Sequence, residues 1–281
     1  MFQQLSGRLG NQLFQWSFSH TLAANYDSKV RLFMDASHAN GFKGDDLYSV
    51  LKPCNHIDRI IRSDLLGQTL KILDKVSTLQ GDSGKFLNRH LRLLRTFNSY
   101  EFPELPSKRP RLITGFYINS RIVESNEHII LPELERLIDA VHIDESLPTT
   151  YQYIHIRRGD YVVNATSYGL LGASHYLKHI DGSIPLVIGT DDLESSASVI
   201  AALKPDLIFS PSNSTAWQSL KMMANAEKLI LANSTLSWWG GFLAANRGNR
   251  VYSPSPFYKN QPEINLVMQY KKFISVDSEF L

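Results

Sequence analysis

IPLVIGTDDLESSASVIAAL, residues 184–203, opens on an apolar run, breaks at the polar TDD of 190–192, and resumes with apolar side chains at helical spacing. That is a strand, a turn and a helix. The same order of signals recurs on both sides. YQYIHIRR (151–158) reads as a strand and SHYLKHI (174–180) as a short helix. DLIFS (206–210) precedes the helical STAWQSLKMMANA (214–226), EKLILA (227–232) precedes LSWWGGFLAAN (236–246), and RVYSP (250–254) closes as a strand. Strands alternating with helices imply βαβ units, hence an α/β fold with a parallel sheet and helices on its faces.

The first half carries the same alternation less cleanly. FQQL (2–5) is a short strand, and NQLFQWSFSHTLAANY (11–26) begins a helix with Leu13, Phe14, Phe18 and Leu22 on its apolar face. VRLFMD (30–35) and RLITGFY (111–117) read as strands, and LPELERLIDAVHI (131–143) as a helix with Pro132 near its start. Residues 57–98 read as mostly helix and loop. The polar, proline-containing DESLPTT (144–150) is the expected linker, giving domains 1–146 and 147–281.

Composition narrows the classes. The chain has 281 residues, 43% hydrophobic and 20% charged, with a formal net charge of +2, which is globular and not disordered. Both halves are close to neutral, so wholesale coating of nucleic acid is excluded. Cys54 is the only cysteine, which excludes an intrachain disulfide and thiolate metal clusters. No apolar run approaches the roughly 18 residues of a membrane span. MFQQLSGRLGNQ turns polar too early for a secretory signal, so a soluble cytoplasmic protein is expected.

Ligands of open α/β sheets bind beyond the carboxyl ends of the strands, and four segments put polar residues there. In HIRRGDY (155–161), Arg157 and Arg158 bring fixed charge suited to phosphate, and Asp160 is the expected internal compensator. In NSTLSWWGG (233–241), Ser234 and Thr235 are natural helix caps. The helix start behind them suits a diphosphate, while Trp238 and Trp239 suit the core. Asp191 and Asp192 follow a strand, where one carboxylate caps the next helix and the other is left for a ligand. Gly7-Arg8-Leu9-Gly10-Asn11-Gln12 lies between the first strand and first helix, where glycine allows close backbone approach. Neither GxGxxG nor a Walker loop is present, and Asp-x-Asp occurs nowhere, so a sugar-transfer site chelating a metal through that pair is not expected.

These segments, with GFYINSR at 115–121, resemble the bacterial α-1,2-fucosyltransferases of glycosyltransferase family 11 along nearly the whole chain. The resemblance implies a GT-B arrangement of two Rossmann-like domains facing a central cleft, with acceptor on the first and GDP-L-fucose on the second. It implies no cofactor and no metal. It assigns Arg157 to the diphosphate, His155 and one carboxylate of Asp191/Asp192 to guanine, and Arg158, Asn233, Ser234 and Thr235 to the donor side. Gly10 and Asn11 face the donor from the first domain. Arg157 and Asp160 are the expected catalytic residues, with no general base assigned. The expected reaction inverts the fucose centre and links it to the 2-hydroxyl of a galactose on an oligosaccharide or lipid-linked glycan. A GT-B transferase with another nucleotide sugar, or an inactive nucleotide-sugar-binding module, is the alternative. The family usually has Gly where Arg8 stands and Trp-Gln where Tyr117-Ile118 stand, which bears on the acceptor side.

Smaller features have plainer readings. His175 and His179 have zinc-like spacing, but no third ligand is evident and they read as surface histidines. Asn164, Asn213 and Asn233 head glycosylation sequons, relevant only to a secreted chain. KFLNRHLRLLRTF (85–97) reads as an amphipathic helix, either a plain solvated face or one whose Lys85, Arg89, Arg92 and Arg95 give weak peripheral contact with anionic lipid at the inner face of the cytoplasmic membrane.

Overall fold

A computed structural model describes residues 1–34, 46, 47, 50, 57–62, 93–96, 105–143 and 146–281. Cys54, residues 85–92 of the basic stretch, and Asp144 and Glu145 of the expected linker lie outside the described residues. By its contacts the chain divides into two compact units, Met1–Ile130 and Leu131–Leu281.

The first unit holds a parallel sheet of β1 (Phe2–Leu5), β2 (Val30–Met34), β3 (Ile57–Arg62), β4 (Leu93–Thr96) and β5 (Leu112–Gly115), ordered β3-β2-β1-β5-β4. Helix α1 (Leu9–Tyr26) follows β1, and α2 (Ser120–Ser125) leads to α3 (Glu127–Asp139). In α1, Leu9, Leu13, Phe14, Trp16, Phe18 and Leu22 are all buried. Gln12, Gln15, Ser17, Ser19 and His20 are buried with them, which is why its sequence looks only weakly amphipathic. Buried polar side chains need partners. Gln3 Nε2 donates to Gln15 O at 2.7 Å, and Ser19 Oγ donates to Gln3 Oε1 at 2.7 Å.

Two expectations for this half are corrected. Residues 57–62 and 93–96 are strands, not helix or loop. Leu94 and Arg95, expected on an amphipathic helix, lie in β4, paired in parallel with Ile113 and Thr114. Lateral pairing with β5 overrides the local helical period there, as tertiary context does for short segments. Helix α3 begins at Glu127, so Pro132 lies inside it and not near its start.

The division of the chain falls within α3 and not at the expected 146/147. The second half of α3 and the residues that follow it bond within the second unit. Arg247 pairs with Glu135, with its Nε donating to Oε1 at 3.0 Å. Lys221 Nζ donates to Val141 O at 2.7 Å, and Gln218 Nε2 to His142 O at 3.0 Å.

The second unit is a six-stranded parallel sheet of β6 (Gln152–Ile156), β7 (Leu186–Thr190), β8 (Leu207–Phe209), β9 (Lys228–Ile230), β10 (Arg250–Ser255) and β11 (Ile274–Asp277). Between β6 and β7 lie the short helices α4 (Gly159–Val163), α5 (Ala165–Tyr168) and α6 (Ala173–Leu177). Then come α7 (Leu193–Leu203), α8 (Ala216–Asn225), α9 (Thr235–Asn246) and α10 (Pro262–Val267). The spatial order is β11-β10-β9-β6-β7-β8. Counted from β6, that is the doubly wound order of dinucleotide-binding sheets, whose direction reverses between β6 and β9. Every residue of β6 and β7 is buried, as expected of central strands covered on both faces. Trp238 and Trp239 are fully buried in α9. Among the described residues no helix is long and apolar enough to cross a membrane.

Candidate functional site

The strand order places the reversal point of the second unit between the carboxyl ends of β6 and β9. Arg157 leaves β6 there, and Asn233-Ser234 leave β9 there. Binding crevices of open α/β sheets form at this point.

The Arg157 guanidinium is held by two carboxylates. Its Nη1 lies 2.9 Å from Asp191 Oδ2, and its Nη2 pairs with Asp160 Oδ1. The Arg157 and Asp191 side chains are 12% and 13% exposed, whereas Asp160 is 51% exposed. The guanidinium also lies over the Tyr161 ring, 5.0 Å from its centroid. Asp160 was expected to compensate Arg158. The structure pairs it with Arg157, because Arg158 turns inward. Arg158 is 2% exposed, and its guanidinium donates to Arg157 O at 3.0 Å and Leu171 O at 2.7 Å. Its side chain therefore fastens the loop.

The TDD pair divides its work. Asp192 caps α7, accepting from Ser195 N at 3.1 Å and Ser195 Oγ at 2.8 Å. Asp191 faces the arginine loop and accepts the Arg158 backbone N–H at 2.7 Å. It is thus a partner of Arg157. Gly159, at φ +27°, makes this possible, since a Cβ there would collide with Asp191 Oδ2. His155 is 3% exposed, and burial pushes its imidazole down to about 4, so it is neutral at pH 7. Its Nδ1 and the Arg157 Nε are buried without a hydrogen-bond partner.

At the β9 end, Ser234 caps α9 by accepting from Ser237 N at 3.2 Å, and Thr235 is the first residue of the helix. Asn233 was expected on the donor. Its amide instead donates to Tyr168 O at 2.9 Å and Gly169 O at 3.1 Å, tying the β9 loop to the segment after α5. At 1% exposed, it is also no accessible sequon. Tyr161, Tyr168 and Tyr258 pack together behind Arg157, with Tyr161 and Tyr168 stacked at 4.5 Å. Burial raises the Tyr161 and Tyr258 phenols, which stay neutral.

In the first unit, the reversal lies between β1 and β5. Gly10 and Asn11 are in the first turn of α1. Gly7, at φ +73°, leaves room for Asn11, whose Nδ2 would lie 2.7 Å from a Cβ. Gln15 joins the two strand ends: its Oε1 accepts from Ser6 N at 2.9 Å, and its Nε2 donates to Gly115 O at 2.9 Å. Phe116 follows, 41% exposed, and Tyr117 takes a left-handed backbone at φ 53° while stacking on Phe18 at 3.9 Å.

The structure therefore brings His155, Arg157, Asp160 and Asp191 to one place, puts Arg158, Asp192 and Asn233 into supporting bonds, and leaves Gly10 and Asn11 in the first unit. Tyr168, Tyr258 and Gln15 were not anticipated, because no motif or spacing signals their contacts with Tyr161, Ser6 and Gly115. His175 is corrected as well. It is 1% exposed, not on the surface, and its Nδ1 lies 3.1 Å from Asp277 O. Among the described residues no group of three or more His, Cys, Asp or Glu side chains is arranged to hold a metal ion.

Residues 93–267 match the family model for Glycosyl transferase family 11. The O-antigen biosynthesis glycosyltransferase WbnK of Escherichia coli is 24% identical over 95% of this chain and 98% of its own. An alpha-1,2-colitosyltransferase of Escherichia coli is 25% identical over 93% of each chain. A solved glycosyl transferase family 9 structure from Veillonella parvula matches with a TM-score of 0.52 at 12% identity, covering 98% of this chain and 86% of that one. The two parallel α/β units are of the GT-B glycosyltransferase type. The matched span takes in more than half of the chain, and both strand ends that carry the arginine loop and the capped helix fall within it, so the chain belongs to glycosyltransferase family 11.

Proposed function

We propose that this glycosyltransferase moves L-fucose from GDP-β-L-fucose to the 2-hydroxyl of a galactose in an oligosaccharide or lipid-linked glycan, with inversion and without a metal. The observation that carries the reading is the Arg157 fork at the β6/β9 reversal point, beside the start of α9. Charge develops on the β-phosphate as the glycosidic bond breaks through an oxocarbenium-like transition state. A guanidinium prepositioned in a largely buried setting, with the positive end of a helix at the neighbouring strand, answers that charge in the role a metal has elsewhere. The unpartnered Arg157 Nε and His155 Nδ1 support a site completed by a ligand, since buried polar atoms without partners are costly.

In the first unit, the Gly7–Asn11 turn and the exposed Phe116 ring offer a polar backbone edge and an apolar face, the two features a sugar ring uses. The alpha-1,2-colitosyltransferase supports a second reading, colitose as the transferred sugar, because it resembles this chain as closely as WbnK does. The test is GDP release, with product analysis, from GDP-fucose and GDP-colitose over an array of galactosides in excess EDTA. Release dependent on a galactoside with GDP-fucose is expected. Turnover with a UDP-sugar alone, or a strict requirement for Mg²⁺ or Mn²⁺, would overturn the reading.

A further inference from the structure

We propose that Asp160 is a displaceable counter-ion of Arg157, which the diphosphate of the donor must evict, whereas Asp191 is its permanent holder. This rests on the donor reading above. Both carboxylates contact the same guanidinium, one on each Nη. A diphosphate arriving on the Nη2 side meets the Asp160 carboxylate, which competes for the N–H groups of Nη2 and repels it by like charge.

The two carboxylates differ in every respect that governs whether they can leave. Asp191 is 13% exposed, its Oδ2 meets Arg157 Nη1 at 2.9 Å, and its Oδ1 accepts the Arg158 N–H at 2.7 Å. Releasing it would strand a buried charge, which is strongly unfavourable. Asp160 is 51% exposed, so water takes over its solvation when it leaves, and of the two carboxylates it is the one whose release strands no buried charge of its own. Its backbone stays put meanwhile. The Asp160 carbonyl accepts from Asn164 Nδ2 at 2.8 Å, and the Tyr161 N–H is bonded to Arg158 O. The side chain alone swings, through one or two rotamer changes.

In the absence of donor, Asp160 keeps the fork paired and aligned over Tyr161. It also sets a threshold, since only an anion that outcompetes a half-solvated carboxylate gains Nη2. Removing its charge therefore has a sign opposite to that of an ordinary site mutation. Asp160→Asn binds the diphosphate more tightly than the wild type.

The experiment is calorimetric titration of the whole chain with GDP and, separately, with inorganic pyrophosphate. Wild type, Asp160→Asn, Asp160→Glu and Asp191→Asn are compared. Asp160→Asn is expected to lower Kd for both probes by about two- to fivefold, the range of an exposed ion pair. Asp160→Glu, which keeps the charge, restores wild-type affinity, and Asp191→Asn weakens both. Asp160→Asn binding equal to or weaker than wild type, with wild type titrating normally, overturns the counter-ion role and leaves the donor reading standing. A wild type that binds neither GDP nor pyrophosphate overturns both.

Discussion

Replacing Gly159 with alanine should disable the site without touching any charged residue. Gly159 has φ +27°, in the left-handed half of conformational space, where a side chain costs about 1–2 kcal/mol. The new methyl would also meet Asp191 Oδ2, the atom paired with Arg157 Nη1. Asp191 would have to shift, and the Arg158 N–H would lose its charge-assisted bond, worth about 1.5–3 kcal/mol. Together these amount to about 3 kcal/mol or somewhat more. For a unit of this size each kcal/mol moves the midpoint by roughly 2–4 °C, so Gly159→Ala should lower the second unit's Tm by about 6–12 °C. Misalignment of Arg157 should weaken GDP by about tenfold, the equivalent of about 1.4 kcal/mol. Scanning calorimetry and GDP titration read the two effects. A variant within about 2 °C of wild type and with unchanged GDP affinity would refute the claim that the Gly159–Asp191 contact sets the arginine.

Further outcomes follow from the same geometry. Arg157→Lys keeps the charge but loses the planar fork whose two Nη groups meet Asp160 and Asp191, and should lose about 3 kcal/mol of transition-state stabilisation, more than a hundredfold in kcat, read by steady-state transfer assays. Asn233→Ala removes both bonds to the 168–169 backbone and should cost about 2 kcal/mol, visible as a lower Cm in denaturant titration. His155 and His175 are both held down to about 4 by burial, so the unfolded chain binds their protons first as pH falls below about 6.5. Stability should therefore drop by about 1.4 kcal/mol per pH unit for each histidine between pH 6.5 and 4. His175→Asn should remove one histidine's share of that slope in pH-dependent unfolding, and an unchanged slope would count against it.

The second unit was legible because β6, β7 and β9 announce themselves as apolar runs with polar residues at their ends, and a covered parallel sheet demands that pattern. β3 and β4 were not, because IDRIIR and LLRT are short and carry arginines, so their strand state rests on pairing with β2 and β5, which local spacing cannot show. β11 was missed for the same reason: ISVD is a four-residue edge strand that exists through β10. At the site, HIRRGDY marked a strand end and singled out Arg157, but not the inward role of Arg158. Residues after a strand no longer follow its alternation, and the inward turn of Arg158 is set by the carbonyl of Leu171. The Asp191–Arg157 pair spans two strands, so adjacency of Asp191 and Asp192 could not tell cap from partner. His175 read as exposed because the strand that covers it, ending in Asp277, was itself unrecognised.

The measurement closest to the central claim is GDP formation from GDP-β-L-fucose by wild type and Arg157→Lys, each in excess EDTA, with and without a terminal galactoside. Galactoside-dependent GDP release by the wild type, an α-1,2-linked product, and loss of more than a hundredfold in the variant are expected. Equal turnover by the two proteins, or no GDP release by the wild type with any galactoside, would contradict it.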